Sequence, residues 1–441
     1  MLTKTNFRTF TFYSLICNML IYFLQFFIYK ENINYYECTE IKFYNIFLFS
    51  REIEFIYPES CDLNAYLQGV MNIQNFYNQT DYVYFDRPLF IFYISVFYLV
   101  LKVVLSPFSL SSVVLIKASF FLAQLFLTSI ICVYICKIFE IFKIDFNKMY
   151  FSLPWIVSIS PMFKWHIYES TSMTFTFLIF LFGIYFVINL DKLNQKSYFF
   201  LVGLLFLFHR SAALIIVFTL ISVLFTKKMN LRFVSNGLFF IIPIFIHYSI
   251  LFLYTGFVDH QAQGYRQFIW LIDFIQGKDT IIGGYFCQSP RLALTCYKND
   301  LINLGRYLLI PIVFLIVNFL TSFKVIFLPY KKLIIYSLSF ALLINSFWLF
   351  IGWYPPIRFS YYGLGNLIIF FLIISYALIE NQNSKNLFLA AYSSYFLFLN
   401  HWNYPEVIKN SNFLLVSFFL FLSALIFNYQ KIESKKLLKD V

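Results

Sequence analysis

Charge is what this chain has least of. Only 12% of its 441 residues are Asp, Glu, Lys or Arg, against 61% hydrophobic residues and a mean hydropathy of +0.74. That scarcity excludes a soluble globule, in which about a quarter of the residues are charged. The sequence also lacks a glycine-rich strand-to-helix fingerprint for nucleotides and any CxxC or His/Cys spacing of a structural metal site. There is no repeat of the kind that marks transporters built from paired halves. After the first apolar run there is no small-residue cleavage site, so that run reads as a retained helix and not a signal peptide. What remains is an all-α polytopic membrane protein, a single integral membrane domain over residues 1–441.

The formal net charge of +12 would suggest a nucleic-acid partner in a soluble protein. Here the lysines stand in short runs between apolar segments, which is the positive-inside pattern, so the charge reports topology and no nucleic acid is expected. The 62 phenylalanines and 34 tyrosines read as compositional bias plus lipid-facing and interfacial rings. Lys4 and Arg8 place the amino terminus in the cytoplasm, ahead of a first span from Phe10 to Tyr29. Later spans are expected at Val113–Cys136, Met149–Met162, Thr171–Leu190, Ser235–Tyr254, Tyr307–Phe323, Leu333–Ile351, Gly363–Ile379, Leu387–Leu399 and Phe413–Phe427. Tyr198–Phe225 is too long for one span and is broken by His209 and Arg210, so it reads as two short helices meeting at the outer face. About twelve spans with both termini inside satisfy every lysine cluster.

Two outer segments follow from this threading, residues 30–111 and 255–306. The first holds two amphipathic stretches, Ile41–Phe49 and Asn64–Tyr77, expected to lie along the membrane surface. Leu89–Leu105 is expected to lie in, or re-enter from, the outer leaflet. Cys17, Cys132 and Cys136 fall in apolar spans, whereas Cys38, Cys61, Cys287 and Cys296 all fall in the outer segments. Pairing Cys38 with Cys61 and Cys287 with Cys296 suits an oxidising compartment, with unpaired loop thiols as the alternative.

The chemistry concentrates in Pro58–Pro88, PESCDLNAYLQGVMNIQNFYNQTDYVYFDRP, a polar island of acids, amides and tyrosines. Ionisable groups held close to a membrane are costly and usually functional. Asp62 and Tyr66 are four apart and share a face if helical. A carboxylate there serves either as a general base for a hydroxyl acceptor or as a helix N-cap. His209 and Arg210 interrupt an apolar run of nearly thirty residues with no evident structural reason. The guanidinium fork of Arg210 fits a phosphate, or else snorkels to the headgroups.

These residues resemble the first periplasmic loop of the GT-C superfamily of glycosyltransferases, in particular the protein O-mannosyltransferases and the lipid A aminoarabinose transferases. In those enzymes an acid of this loop is the proposed catalytic base, and a basic-Pro-Pro-Leu step opens a membrane-surface helix. This chain has Asp62, then Tyr66, then Arg87-Pro88-Leu89, with one proline and an Arg where the family has Lys-Pro-Pro. The stretch SPMFKWHIYEST is similar to the family's third-helix exit and offers Glu169 as a second acid, or as a carboxylate favoured by the dipole of the next helix. Lys164 and His166 in the same stretch are candidate phosphate contacts or plain interfacial residues. LFHRSAALIIV is similar to the family's basic break between its fifth and sixth helices, and its FHRSA string also looks like one in polysaccharide polymerases of the EpsG type. GWYPPIRFSYYG adds Arg358 near the donor, among tyrosines that either stack on sugar or form an interfacial belt.

The resemblance implies a GT-C-like bundle with membrane-surface helices in the first outer loop, acting as an inverting glycosyltransferase of the bacterial inner membrane. Its partners are then a polyprenyl-phosphate-linked sugar, an acceptor lipid, glycan or protein, and the bilayer, with the site facing the periplasm. No cofactor is called for; a divalent metal stays open as an alternative that no motif indicates. The rival expectations are an EpsG-type polymerase and a lipid or glycan flippase without catalysis.

Overall fold

The computed structural model describes residues 4–29, 39–48, 51–60, 69–78, 87–146, 149–160, 163–164, 174–192, 194–226, 231–255, 276, 309–317, 329–347, 363–398, 419–424 and 426. Helices dominate. They are α1 (Lys4–Tyr29), α2 (Pro88–Val104), α3 (Ser112–Ile141), α4 (Ser152–Ile159), α5 (Phe175–Ile188), α6 (Gln195–Phe208), α7 (Ala213–Phe225), α8 (Leu231–Gly237), α9 (Ile241–Thr255), α10 (Gly363–Leu378) and α11 (Gln382–Phe398). Residues 309–317 and 329–347 are helical as well. Among the described residues, three stretches are helical, long and apolar enough to cross a membrane: Phe7–Leu24, Ser112–Ile141 and Phe233–Tyr254. The helical character and the presence of helices apolar enough to cross a membrane are therefore borne out, while the number of spans and their topology belong to the proposal below.

One expectation fails. Ile41–Phe49 does not form a membrane-surface helix; strand β1 (Thr39–Leu48) pairs antiparallel with β2 (Arg51–Ser60) from Thr39↔Ser60 to Leu48↔Arg51. Residues 49–50 lie between the two strands in sequence. One strand carries Ile41, Phe43, Tyr44, Ile46 and Phe47 and the other Ile53, Phe55, Ile56 and Tyr57, and such β-branched and aromatic runs favour pleated strands over a helix. The all-α expectation thus needs this one ladder added. In Asn64–Tyr77, the described part is a short helical turn ending at Met71 and a 3-10 helix, Ile73–Asn78.

Contacts divide the chain into two compact units. The first comprises Met1–Ile33, Thr128–Lys164 and Asp273–Val441. In it α1 buries one stripe, Phe10, Ser14, Cys17, Asn18 and Ile21, with helical spacing. That stripe meets the chain leading into α4: the Phe10 and Tyr150 ring centroids are 5.4 Å apart, and Cys17 Sγ lies 3.9 Å from the Phe151 carbonyl oxygen. Short polar ties bind α4 to α11, with Trp155 Nε1 donating to Ser393 Oγ at 2.7 Å and Tyr392 Oη to the Ile156 carbonyl at 3.1 Å. Asn345 Oδ1 accepts from the Gly363 amide at 3.0 Å and from the Leu364 amide at 3.3 Å. These bonds close the open N-terminal turn of α10 from a neighbouring helix.

The second unit comprises Asn34–Leu127 and Trp165–Ile272. Its centre is α5, FTFLIFLFGIYFVI, apolar all round and buried on nearly every side, which is the signature of an inner helix. Against the second half of the unit, α6 packs so closely at Gly203 that a Cβ there would sit 2.3 Å from the Phe240 carbonyl oxygen and 2.8 Å from Pro243 Cγ. Small residues permit such close helix approach in membranes. The far side of α9 exposes Phe245, Ile246, Phe252, Leu253 and Tyr254, a continuous apolar face.

Candidate functional site

The second unit holds the residues that the sequence singled out as a helix break. α6 ends at Phe208, a 3-10 turn covers Arg210–Ala212, and α7 starts at Ala213, so the run Tyr198–Phe225 is two short helices as expected. His209 makes the junction with extended backbone, φ −158° and ψ 128°. It takes the place of the usual Ser, Thr or Asp at a helix start. The Ser211 amide donates to His209 Nδ1 at 3.3 Å, and the Ser211 hydroxyl lies in hydrogen-bond contact with the same nitrogen. Because a backbone N–H only donates, Nδ1 is the acceptor and the ring proton belongs on Nε2.

Arg87 arrives from a different element. It is the N-cap residue of α2, with Pro88 in the first turn, where a missing amide hydrogen costs nothing. The Phe90 and Ile91 amides close on its carbonyl at 3.1 and 3.3 Å. The Arg-Pro-Leu step therefore does open a helix. That helix has 17 residues. At this length it rises about 25 Å, short of a bilayer core of ~30 Å.

Aromatic contacts place the two basic segments at a common end. Phe175, the first residue of α5, stacks on Phe208 at 4.6 Å between centroids; Tyr93 of α2 meets Phe208 at 5.9 Å and Phe175 at 5.8 Å; Phe90 meets Phe175 at 6.1 Å. The N-terminal turns of α2 and α5 thus come together with the C-terminal turn of α6. Tyr93 also donates to the Ala123 carbonyl of α3 at 2.6 Å, which fixes its ring in the wall. Beside this aromatic wall the charges of both Arg87 and Arg210 bear on the imidazole of His209. The His209 side chain is only 2% exposed. Burial first, then the two guanidinium charges, holds its pKa well below the ordinary value of 6.5. At neutral pH the cluster is two cations around a neutral ring. Helix N-termini carry partial positive charge, so the starts of α2 and α5 add to a positive field among the described residues.

Lys164, expected at the membrane interface or on a phosphate, lies in the first unit and is fully buried. Its Nζ donates to the Phe396 carbonyl at 2.6 Å and to the Leu397 carbonyl at 3.2 Å. These are terminal carbonyls of α11, where a cation is favoured by the helix dipole. Burial pushes its pKa down to about 7. It serves as a helix cap, a role invisible in the sequence around it because the partner carbonyls are more than two hundred residues away.

Sequence reasoning passed over Lys117, which is 2% exposed inside α3. The signal was there, a lone lysine within an apolar span, which marks function by default. Asp62, Glu169, Tyr66, His166, Arg358, Cys38, Cys61, Cys287 and Cys296 lie outside the described residues. Cys17, Cys132 and Cys136 are buried free thiols, as their place in apolar spans implied. Among the described residues no three His, Cys, Asp or Glu side chains are grouped as metal ligands. No known protein family, curated protein or solved structure matches the chain.

Proposed function

We propose that the protein is an inverting membrane glycosyltransferase of the GT-C type, moving a sugar from a polyprenyl-phosphate donor to an acceptor hydroxyl at the outer face of a bacterial inner membrane. About twelve spans with cytoplasmic termini belong to this reading, as does a site open to the periplasm. The observation that carries it is the gathering of Arg87 and Arg210 around a buried neutral imidazole, from helices more than a hundred residues apart in sequence. A lipid-linked sugar presents one phosphate beside its anomeric carbon, and two guanidinium groups suit that phosphate as leaving-group charge develops. Preorganised cations act most strongly where water is excluded. The aromatic wall of Phe90, Tyr93, Phe175 and Phe208 supplies an apolar flank for the isoprenoid side of such a donor.

In this reading Asp62 takes the proton from the acceptor hydroxyl, which attacks the anomeric carbon as the bond to phosphate breaks. The phosphate leaves on its lipid, held by Arg210 and Arg87, with Arg358, Tyr66 and His166 as further substrate contacts and Glu169 as the second acid. The acceptor class is a lipid, a glycan or a protein hydroxyl.

The test is envelope glycan composition by mass spectrometry in cells lacking the protein, then restored with wild type, Asp62→Asn or Arg210→Ala. Loss of one glycan in the deletion, recovered by wild type and by neither variant at equal protein level, is the expected result. A glycan profile identical in deletion and wild type overturns the proposal.

A further inference from the structure

The junction contains a residue whose place in the chemistry is not explained by phosphate binding alone. A histidine caps the turn Arg210–Ala212, where Asn, Asp or Ser would do so with a shorter side chain. The His209 ring is buried, accepts the Ser211 amide at Nδ1 and meets the Ser211 hydroxyl at the same atom. Both bonds tie the ring to the very turn from which Arg210 departs. The Ala212 amide adds a backbone bond to the His209 carbonyl at 3.1 Å, and the His209 amide itself closes on Leu205 at 2.9 Å. His209 therefore joins the end of α6 to the start of the turn on its amide side and locks the turn on its side-chain side.

We propose that His209 is a positioning residue that acts through Arg210: by capping the turn in its neutral Nδ1-acceptor form, it fixes the backbone from which Arg210 meets an anionic phosphodiester. The proposal rests on the phosphate reading of the previous subsection for its ligand, although the cap itself does not. A protonated ring has a donor at both nitrogens and cannot accept the Ser211 amide, so the cap and the neutral form require each other. Burial beside two guanidinium groups enforces that form. The turn in return has no slack, because the short 3-10 stretch runs directly into α7 and Ser211 and Ala212 are themselves buried.

The experiment uses the full-length protein in nanodiscs and four variants: His209→Asn, His209→Leu, Arg210→Ala and the pair His209→Leu with Arg210→Ala. Binding of a polyprenyl-phosphate hexose is measured for each, and inorganic sulfate, a phosphate-shaped anion with one charge state across neutral pH, serves as a second probe by its effect on the thermal midpoint. Asparagine retains a short acceptor suited to capping, whereas leucine fills the space without one. His209→Leu is expected to weaken phosphodiester binding about tenfold, in line with a lost cap, and His209→Asn to recover most of it. The double variant is expected to bind no more weakly than Arg210→Ala alone, the sign of one pathway. Additive losses in the double variant, or no recovery by asparagine at equal folded yield, overturn the proposal. Should wild type ignore the phosphodiester while the His209 and Arg210 variants remain coupled towards sulfate, the donor reading falls and the positioning role stands.

Discussion

The two units of this protein place their buried polar groups differently. In the first, polar groups are consumed by the fold: Lys164 caps the end of α11, Asn345 caps the start of α10, and Trp155 and Tyr392 bridge α4 and α11. In the second, Arg87 and Arg210 stand half-buried around His209 at a place where helix ends converge over aromatic rings. A lysine bonded to carbonyls stabilises a bundle. Two guanidinium charges beside one buried ring disfavour its protonation and hold it neutral. Ionisable side chains gathered among apolar helices are a usual mark of function.

That contrast can be broken most sharply at Arg210. Arg210→Ala should lower donor turnover by roughly 10²–10³-fold, the scale of a lost preorganised donor at a developing charge, with the thermal midpoint nearly unchanged. A stability loss matching the activity loss would place the second unit's cations in the same structural class as the first unit's lysine. Gly203→Leu should do the reverse within the second unit. The α6 backbone is pressed against Phe240 and Pro243. Added bulk there forces the helices apart at a cost of about 1–3 kcal/mol, read as folded yield and thermal midpoint.

Lys164 gives a prediction with a pH signature. Its pKa is held at about 7 in the folded chain against 10.5 for the free side chain. Between those values the unfolded chain binds more protons than the folded one, so stability rises with pH through that window. The neutral amine still has two N–H groups for the Phe396 and Leu397 carbonyls. Thermal midpoints in detergent should therefore climb as the pH is raised above 7 in wild type, and Lys164→Met should flatten the slope while lowering the midpoint. A flat wild-type profile would show that the ammonium is stabilised where it lies. The smallest effect is expected of Asn345→Ala, a loss of about 1 kcal/mol from an uncapped α10, with binding of lipid-linked sugar left intact.

Much of the helical plan was legible from residues alone. The break at His209 and Arg210, the helix opened by Arg87-Pro88, and the burial of Cys17, Cys132 and Cys136 all follow from local rules: a charge interrupts an apolar run, proline belongs in a first turn, and small apolar thiols pack inside. The strand pairing of Thr39–Leu48 with Arg51–Ser60 was missed because a short amphipathic stretch fits either period until its partner is found. Lys164 was misassigned for a related reason. Its neighbours in sequence suggested an interfacial loop, whereas its hydrogen-bond partners come from the far end of the chain.

By itself the sequence determined that the chain carries helices apolar enough to cross a membrane, because the transfer of apolar side chains from water is a sum over residues and needs no knowledge of their arrangement. It likewise determined where helices open and break. Only the tertiary structure decided which distant groups each cation meets, since that depends on distances between segments separated by a hundred residues or more. Lys164 and Arg210 each follow an apolar helix in sequence; packing gives the first a pair of distant carbonyls and brings Arg87 to the histidine that already stands beside the second.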